Sequence, residues 1–367
     1  MKYYLIAGES SGDLHGSNLM HQIQLIDKQA EFRYWGGDLM KSKGGELVSH
    51  YKERAFMGIT DVLLNIRKIV KAIHLCKKDI EMYKPDALIL IDYPGFNLRI
   101  AKWAKQQNIK VHYYISPKVW AWNNKRAHGI KQNVDYLYSI LPFEINFYKP
   151  YGIIPDYIGN PICDAISQYQ FDDNFIVNNQ LNEDYIALLP GSRKSELKHI
   201  LPVMLETTRN FPNYQFVLAG ANHISDDEYN QYTKGYQVKL IKNKTYDVLK
   251  NAKAALVCSG TATLETALIG CHQVVCYKFS KISYWIGRMV VKVKYISLVN
   301  LILDKMLVKE LIQNELTKEN VSKELHNILS EEGKKKLDLG YIELKKTVGE
   351  SGASERAAIL ICKRTMN

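Results

Sequence analysis

Small residues with hydroxyl groups follow an apolar run at Ser259, Gly260 and Thr261, where the pattern predicts a strand, a turn and the start of a helix. Such a turn directs unpaired backbone N–H groups toward an anion, and the helix N-terminus adds roughly half a positive charge. These residues therefore predict a diphosphate site. Glu265, one helical turn later, could accept hydrogen bonds from ribose hydroxyls. The alternative interpretation is a helix cap that binds no ligand.

A second turn of similar design contains Gly191, Ser192 and Arg193, again between an apolar run and a helical pattern. Arg193 adds a permanent positive charge. If both preceding strands belong to one parallel sheet, the two turns lie at the same carboxyl edge, where open α/β sheets bind ligands. Two such turns at one edge predict a site for a nucleotide diphosphate.

Three carboxylates in the first hundred residues follow predicted strands. Asp92 ends the apolar run 87–91, while Glu9 and Asp13 lie in a glycine-containing turn that is neither the dinucleotide fingerprint nor a Walker loop. Burial would raise the pKa of Asp92 toward that of a useful general base. We predict Asp92 as the catalytic base, with Glu9 and Asp13 in reserve. A turn-forming role for Asp92 and a helix-dipole role for Asp13 stay open.

The loop at residues 115–126 combines two tryptophans with three basic residues. Interleaved aromatic and basic residues can bind nucleic acid. However, no second segment of this kind would extend a groove, so a local ligand or helix packing is favoured, and Ser116 and Trp120 become candidate contacts. Glu144, after the next predicted strand, is interpreted as a capping or packing residue.

The composition is that of a globular protein with two domains: 367 residues, 46% hydrophobic and 24% charged. A formal net charge of +11 predicts an acidic partner, whether nucleic acid, an anionic membrane or phosphorylated substrates. The six cysteines form no CxxC pair, which indicates a reducing compartment. The ten histidines lack metal-binding spacing, so neither a metal nor a cofactor is predicted.

Short apolar runs alternate with longer helical patterns, which predicts βαβ units with parallel sheets. The pattern indicates two doubly wound, Rossmann-like α/β domains with a cleft between them. We place the boundary near Ala165, giving domains 1–165 and 166–350, and expect helices but no strand after Lys305. The expected strands lie near 3–7, 33–35, 87–91, 110–114, 136–140, 185–189, 215–219, 238–241, 254–258 and 273–277.

Residues 62–80 have apolar side chains at helical spacing and basic residues on the other faces. This pattern is typical of a helix that faces a protein core and has a solvated basic side. The alternative is a helix that lies on an anionic bilayer.

Nine motifs, in order along nearly the whole chain, resemble the lipid-A-disaccharide synthase family of inverting glycosyltransferases. One departure is Asn160, where the family usually has histidine. The motifs are AGESSGDLHG (7–16), MGITDVL (57–63), IDYPGFN (91–97), YISPKVWAW (114–122), LPFE (141–144), LLPGSRKSE (188–196), SGTATLE (259–265), SLVNLILDK (297–305) and LVKEL (307–311).

The resemblance implies the GT-B fold, with residues 351–367 returning to the first domain. It also implies transfer from UDP-2,3-diacylglucosamine to 2,3-diacylglucosamine 1-phosphate by a cytoplasmic enzyme peripheral on the inner membrane. The protein is therefore expected to contact an anionic membrane peripherally and not to bind nucleic acid. Whether it forms homo-oligomers is left open. The UDP site would comprise Gly191, Ser192, Arg193, Ser259, Gly260, Thr261, Glu265 and Asn300, and the acceptor contacts would be Ser11, Gly12, Met57, Asn97, Ser116, Trp120 and Asn160.

Two other functions stay open at this point. The same architecture is found in isomerases of the UDP-N-acetylglucosamine 2-epimerase type. The basic charge is also compatible with a non-catalytic module that binds anionic lipids or nucleic acid, and such binding would depend strongly on salt.

Overall fold

The computed structural model describes residues 1–54, 66–258, 260–278 and 293–366. It divides into two compact units: residues 1–164 with 351–367, and residues 165–350. The predicted contacts Met57 and Ser259, and the first part of the predicted helix 62–80, lie outside the described residues.

The first unit alternates strands and helices, as the sequence pattern predicts. Its elements are β1 (Lys2–Ala7), α1 (Ser10–Ile26), β2 (Glu31–Gly36), α2 (Asp38–Lys41), β3 (Glu46–His50), α3 (Ile66–Tyr83), β4 (Ala87–Ile91), α4 (Pro94–Gln106), β5 (Val111–Tyr114), α5 (Val119–Trp122), α6 (Arg126–Asn133), β6 (Tyr136–Ser139), α7 (Glu144–Tyr148), β7 (Asp156–Tyr157) and α8 (Pro161–Gln168), with 3₁₀ turns at Tyr51–Arg54 and Lys149–Tyr151.

These seven strands form one parallel sheet in the order β3-β2-β1-β4-β5-β6-β7. The strand order reverses direction between β1 and β4, so this pair is the topological switch point, where open α/β sheets bind ligands outside the carboxyl ends of the strands. β4 is fully buried because helices cover both faces of the sheet, which explains its unbroken apolar sequence.

The second unit repeats the design. Its elements are α9 (Phe175–Asn178), β8 (Tyr185–Leu189), α10 (Lys194–Thr208), β9 (Gln215–Gly220), α11 (Asp226–Thr233), β10 (Val238–Lys242), α12 (Thr245–Asn251), β11 (Ala254–Cys258), α13 (Thr261–Ile269), β12 (Gln273–Tyr277), α14 (Leu298–Leu303), β13 (Glu310–Ile312), a 3₁₀ turn (Gln313–Glu315), α15 (Lys318–Leu329) and α16 (Glu331–Val348). The sheet order is β10-β9-β8-β11-β12-β13, so β8 and β11 flank its switch point.

The two doubly wound α/β units confirm the predicted fold class. The expectation that no strand follows Lys305 is wrong, since β13 pairs with β12. The prediction also omitted β3 and β7. All three lie at sheet edges, and β13 and β7 contain only three and two residues, too few to show a periodic pattern.

The last helix, α17 (Ala353–Met366), belongs to the first unit. Its apolar face joins the core cluster that contains Leu19, Met20 and Ile23 of α1. The Asp164 carboxylate accepts hydrogen bonds from the amides of residues 352, 353 and 354 at 2.6–3.0 Å. These bonds satisfy N–H groups at the start of the helix and fix its entry into this unit.

Candidate functional site

Asp92 stands at the switch point of the first unit, directly after β4. Its amide donates to the carbonyl of Tyr114 at 3.1 Å, and its own carbonyl accepts from the Tyr113 hydroxyl at 2.6 Å and from Asn97 Nδ2 at 2.8 Å. Both Asp92 and Tyr93 have positive φ, 42° and 47°, a conformation that is uncommon outside glycine. The neighbouring strands therefore hold a strained turn that presents the Asp92 side chain at the sheet edge.

The surroundings of Asp92 raise the affinity of its carboxylate for a proton. Burial raises the pKa of its carboxyl above the ordinary value, the charge of Lys118 opposes this change, and the charge of Glu9 adds to it. Lys118 follows β5 and Glu9 follows β1, so the three groups come from three adjacent strands. The sequence patterns predicted Asp92 and Glu9, and they marked the loop that contains Lys118 as basic without relating it to Asp92.

Asp13 lies in the first turn of α1, where the alternative interpretation placed it. It is buried, and its two carboxylate oxygens accept hydrogen bonds from the amides of Gly37, Leu39 and Met40 at 2.7–3.0 Å. These bonds hold the short helix α2 against α1. Because all three donors are backbone groups with fixed positions, we remove Asp13 from the candidate bases and assign it a structural role.

Three other residues of this unit were predicted to contact the acceptor: Ser11, Gly12 and Asn97. One is exposed near the sheet edge and two are buried beneath it. Ser11 is exposed in the first turn of α1, whereas Gly12 is buried, and a Cβ there would lie 3.2 Å from Ala7 Cβ. Asn97 is fully buried, and its Nδ2 group donates to the carbonyls of Ile6, Ile91 and Asp92. It therefore supports the Asp92 turn from beneath.

Ser116 and Trp120 converge on a buried carboxylate, Glu144. Its Oε1 lies 3.2 Å from Ser116 Oγ and 3.0 Å from Trp120 Nε1, and its Oε2 accepts from the amides of Ile140 and Leu141 at 3.2 Å. Burial raises the pKa of Glu144 to about 7, and these hydrogen bonds oppose the increase. The cluster joins the loops after β5 and β6, which agrees with the predicted capping or packing role.

Asn160 is also fully buried and supports a turn. Its Nδ2 donates to the Ile140 carbonyl at 3.2 Å, and its Oδ1 accepts from the Ile162 amide at 3.1 Å. The side chain thereby ties the loop after β6 to the start of α8.

In the second unit, the two predicted turns are neighbours. β8 and β11 pair in parallel, so the turn at Gly191 and the turn at Gly260 leave the same carboxyl edge on adjacent strands. Gly191 has φ 104° and Gly260 has φ 129°, values that favour glycine. The arrangement is the one required for two turns to contact one ligand.

The first of these turns already holds a carboxylate. Glu196 Oε2 accepts from the amides of Ser192 and Arg193 at 3.0 and 3.1 Å. Both amides are therefore already paired in this conformation, and their predicted contact with a diphosphate stays a prediction. The Arg193 guanidinium is 55% exposed, 3.7 Å from the same carboxylate, and is the group through which this turn can bind an anion.

The second turn is open. Gly260 and Thr261 are exposed at the start of α13, and no described atom lies within 4 Å of a Cβ built on Gly260. Glu265, one turn into the helix, accepts from the Tyr246 hydroxyl at 2.8 Å, and burial raises the pKa of its carboxyl. The backbone around Gly260 thus leaves room for close approach of a phosphate.

Asn300 is not placed to contact a nucleotide. It is fully buried: its Nδ2 donates to the Val308 carbonyl and to Glu310 Oε1, both at 2.8 Å, and its Oδ1 accepts from the amides of Leu307 and Val308. Both N–H groups and both carbonyl lone pairs of this amide are used inside the fold. We infer a structural role for Asn300, and its predicted place in the UDP site stays a prediction.

Known proteins resemble this chain in sequence and in fold. A family model described as lipid-A-disaccharide synthetase matches residues 3–361. A relative named lipid-A-disaccharide synthase, from Syntrophus aciditrophicus (strain SB), is 40% identical over 366 residues, covering 97% of this chain and 96% of the relative.

Two solved structures share the architecture at low identity. UDP-GlcNAc 2-epimerase from Neisseria meningitidis, bound to UDP-GlcNAc, aligns over 100% of both chains with a TM-score of 0.65 and 12% identity. MurG from Acinetobacter baumannii aligns over 99% of both chains with a TM-score of 0.60 and 12% identity. At such identities the likeness shows the fold alone.

Proposed function

The chain belongs to the lipid-A-disaccharide synthetase family, and from this premise we propose that it joins UDP-2,3-diacylglucosamine to 2,3-diacylglucosamine 1-phosphate. The products are UDP and the β-1,6-linked disaccharide phosphate. It is a glycosyltransferase of lipid A synthesis, as its motifs predict. The observation that carries the mechanism is the partly buried carboxylate of Asp92 on a strained turn at the switch point of the first unit.

In this mechanism Asp92 accepts the proton of the acceptor 6-hydroxyl. The acceptor oxygen forms a bond to the anomeric carbon of the donor sugar while the bond from that carbon to the diphosphate oxygen breaks, so the configuration inverts and UDP leaves. A carboxylate with a raised pKa suits the proton transfer because its basicity lies nearer the working pH. Burial raises the pKa of Asp92 most, the charge of Lys118 opposes this increase, and the charge of Glu9 adds to it.

The donor site in this proposal lies at the edge formed by β8 and β11. Arg193 and the open N-terminus of α13 would neutralise the diphosphate, with Gly260 and Thr261 next to it and Glu265 at the ribose. Their positive charge stabilises the leaving diphosphate, and we propose that the transfer needs no metal ion.

We also propose that the protein lies on the inner face of the inner membrane through an exposed face of α3. Arg67, Val70, Lys71 and His74 share that face, and Val70 is 61% exposed. Basic residues next to an anionic bilayer contribute about 1 kcal/mol each. No helix among the described residues has the length and apolar character needed to span a bilayer.

Vesicle binding tests the membrane contact. With vesicles containing anionic lipid, Lys71→Gln should weaken binding about fivefold, which corresponds to about 1 kcal/mol. Lys102→Gln, at an exposed lysine on α4, is the matched control and should leave binding unchanged. Equal effects from both variants would indicate attraction by net charge alone and would refute the assignment to α3.

An isomerase function is not favoured, because the epimerase likeness is one of fold at 12% identity, whereas the sequence relatives named synthase reach 40%. The decisive experiment supplies UDP-2,3-diacylglucosamine with and without the 1-phosphate acceptor, in the presence of EDTA. We expect UDP and disaccharide to appear together and only with acceptor. Release of UDP without acceptor would contradict the transferase mechanism, and loss of activity in EDTA would contradict metal independence alone.

A further inference from the structure

An apolar pocket opens beside the Asp92 turn in the first unit. It lies at the carboxyl ends of β1 to β3, between those strands and helices α3 and α4. It is narrow and partly open to solvent. Its walls include the apolar and aromatic side chains of Trp35, Tyr51, Ile69, Ala72, Tyr93 and Phe96.

Aromatic rings build the inner wall of this pocket. The rings of Trp35 and Phe96 lie 5.4 Å apart between centroids, and those of Tyr93 and Phe96 lie 5.7 Å apart and stacked. Gly8 completes the wall, and its lack of a side chain is required because a Cβ there would lie 2.4 Å from the Tyr93 ring. Such a wall offers dispersion contacts to an apolar group but few hydrogen bonds to a sugar or a nucleoside.

Two residues of the pocket wall are next to Glu9 and Asp92 in the sequence. Gly8 precedes Glu9, and Tyr93 follows Asp92, so two wall residues are chain neighbours of the two carboxylates at the sheet edge. A ligand whose polar part lies at Asp92 can therefore extend an apolar part into this space. Helix α3 has Ile69 and Ala72 on the pocket side, while Val70 is exposed.

We infer that this pocket binds a fatty acyl chain of the acceptor while the acceptor hydroxyl lies at Asp92. The inference rests on the proposed function, which supplies an acceptor with two acyl chains. A narrow apolar pocket suits an alkyl chain because each methylene removed from water strengthens binding about fourfold, whereas a sugar ring would lose its hydrogen bonds there.

Chain-length dependence tests the inference. Acceptors with acyl chains of four, six and eight carbons are compared at a fixed donor concentration, below their aggregation limit. For the wild type, we expect KM to fall about 15-fold for each two methylenes that enter the pocket. In Ala72→Phe the added ring fills the space, so this dependence should flatten.

Met82→Phe is the matched control, because it adds a ring on the same helix at an exposed position outside the pocket. It should retain the wild-type dependence. If Ala72→Phe lowers the melting temperature, the smaller change Ala72→Val replaces it. An unchanged dependence in the folded Ala72 variant would overturn the inference. Failure of the wild type to turn over any acceptor would instead overturn the proposed function.

Photolabelling of the wild-type protein gives a second, independent measurement. An acceptor with a diazirine in its acyl chain should label peptides that contain Trp35, Ala72 or Phe96. Labelling confined to other peptides would overturn the inference. Equal labelling of the same peptides by a diazirine phospholipid in vesicles, or by a diazirine donor, would overturn the assignment to the acceptor chain.

Discussion

Asp92→Asn removes the proposed base while keeping a side chain of nearly the same shape. General-base catalysis is typically worth about 10²- to 10⁴-fold in rate, or roughly 3 to 5 kcal/mol in barrier height. We expect kcat to fall by that factor, with affinity for UDP unchanged. Rapid quenching with detection of UDP and disaccharide measures the first quantity, and calorimetry with UDP measures the second.

The charges around Asp92 allow a sharper test, because they act in opposite directions. Burial raises the pKa of Asp92, so activity should fall as pH decreases through a value above the ordinary range of an aspartate. Lys118→Met removes a charge that lowers this pKa, and the acidic limb of the kcat/KM profile should move to higher pH. Glu9→Gln removes a charge that raises it, and the limb should move to lower pH.

Lys102→Met, at an exposed lysine on α4, is the control and should leave the limb in place. The assignment of Asp92 is refuted if both charge variants move the limb in the same direction, or if Asp92→Asn keeps more than about a tenth of the wild-type turnover.

The other predictions separate residues that contact substrates from residues that support the fold. Arg193→Ala should weaken UDP binding about tenfold or more, measured by calorimetry, because it removes a charge-assisted contact. Arg209→Ala, at a similarly exposed arginine, is the control and should leave UDP binding unchanged. Equal losses of affinity in the two variants would contradict the assignment of Arg193. Asn300→Ala should lower the free energy of unfolding by about 1 to 3 kcal/mol in urea titrations, with UDP affinity of the folded protein kept. Asp13→Ala should destabilise by a similar amount, and a large fall in kcat without loss of stability would restore it as a catalytic candidate.

The positions of the turns could be predicted from the sequence because they depend on local patterns. An apolar run followed by small or acidic residues places a side chain at a strand end, and Asp92 and Gly260 lie where the pattern placed them. The sequence analysis assumed one parallel sheet for the strands before the two turns, and the structure shows that these strands, β8 and β11, pair directly.

The hydrogen bonds and charge interactions of several side chains could not be predicted, because the groups they contact are distant in the sequence. Asp13 accepts from amides 24 to 27 residues away, and no periodicity in the sequence indicates such contacts. Lys118 lies 26 positions from Asp92, on the loop after the adjacent strand, and its effect arises only when β4 and β5 pair. Glu196 could have been recognised, since a glutamate three residues after an N-cap is a known capping arrangement.

Asn160 has a structural task in this chain, and its predicted acceptor contact stays a prediction. The resemblance of the motifs implies a histidine at this position and an acceptor contact. Here the amide supplies one donor and one acceptor to two backbone groups of different loops, the Ile140 carbonyl and the Ile162 amide. A neutral imidazole also carries one donor and one acceptor. Either side chain can therefore join these loops. The amides of Ile140 and Leu141 also donate to Glu144, which in turn accepts from Ser116 and Trp120. Asparagine in place of histidine therefore keeps the loop that positions Glu144.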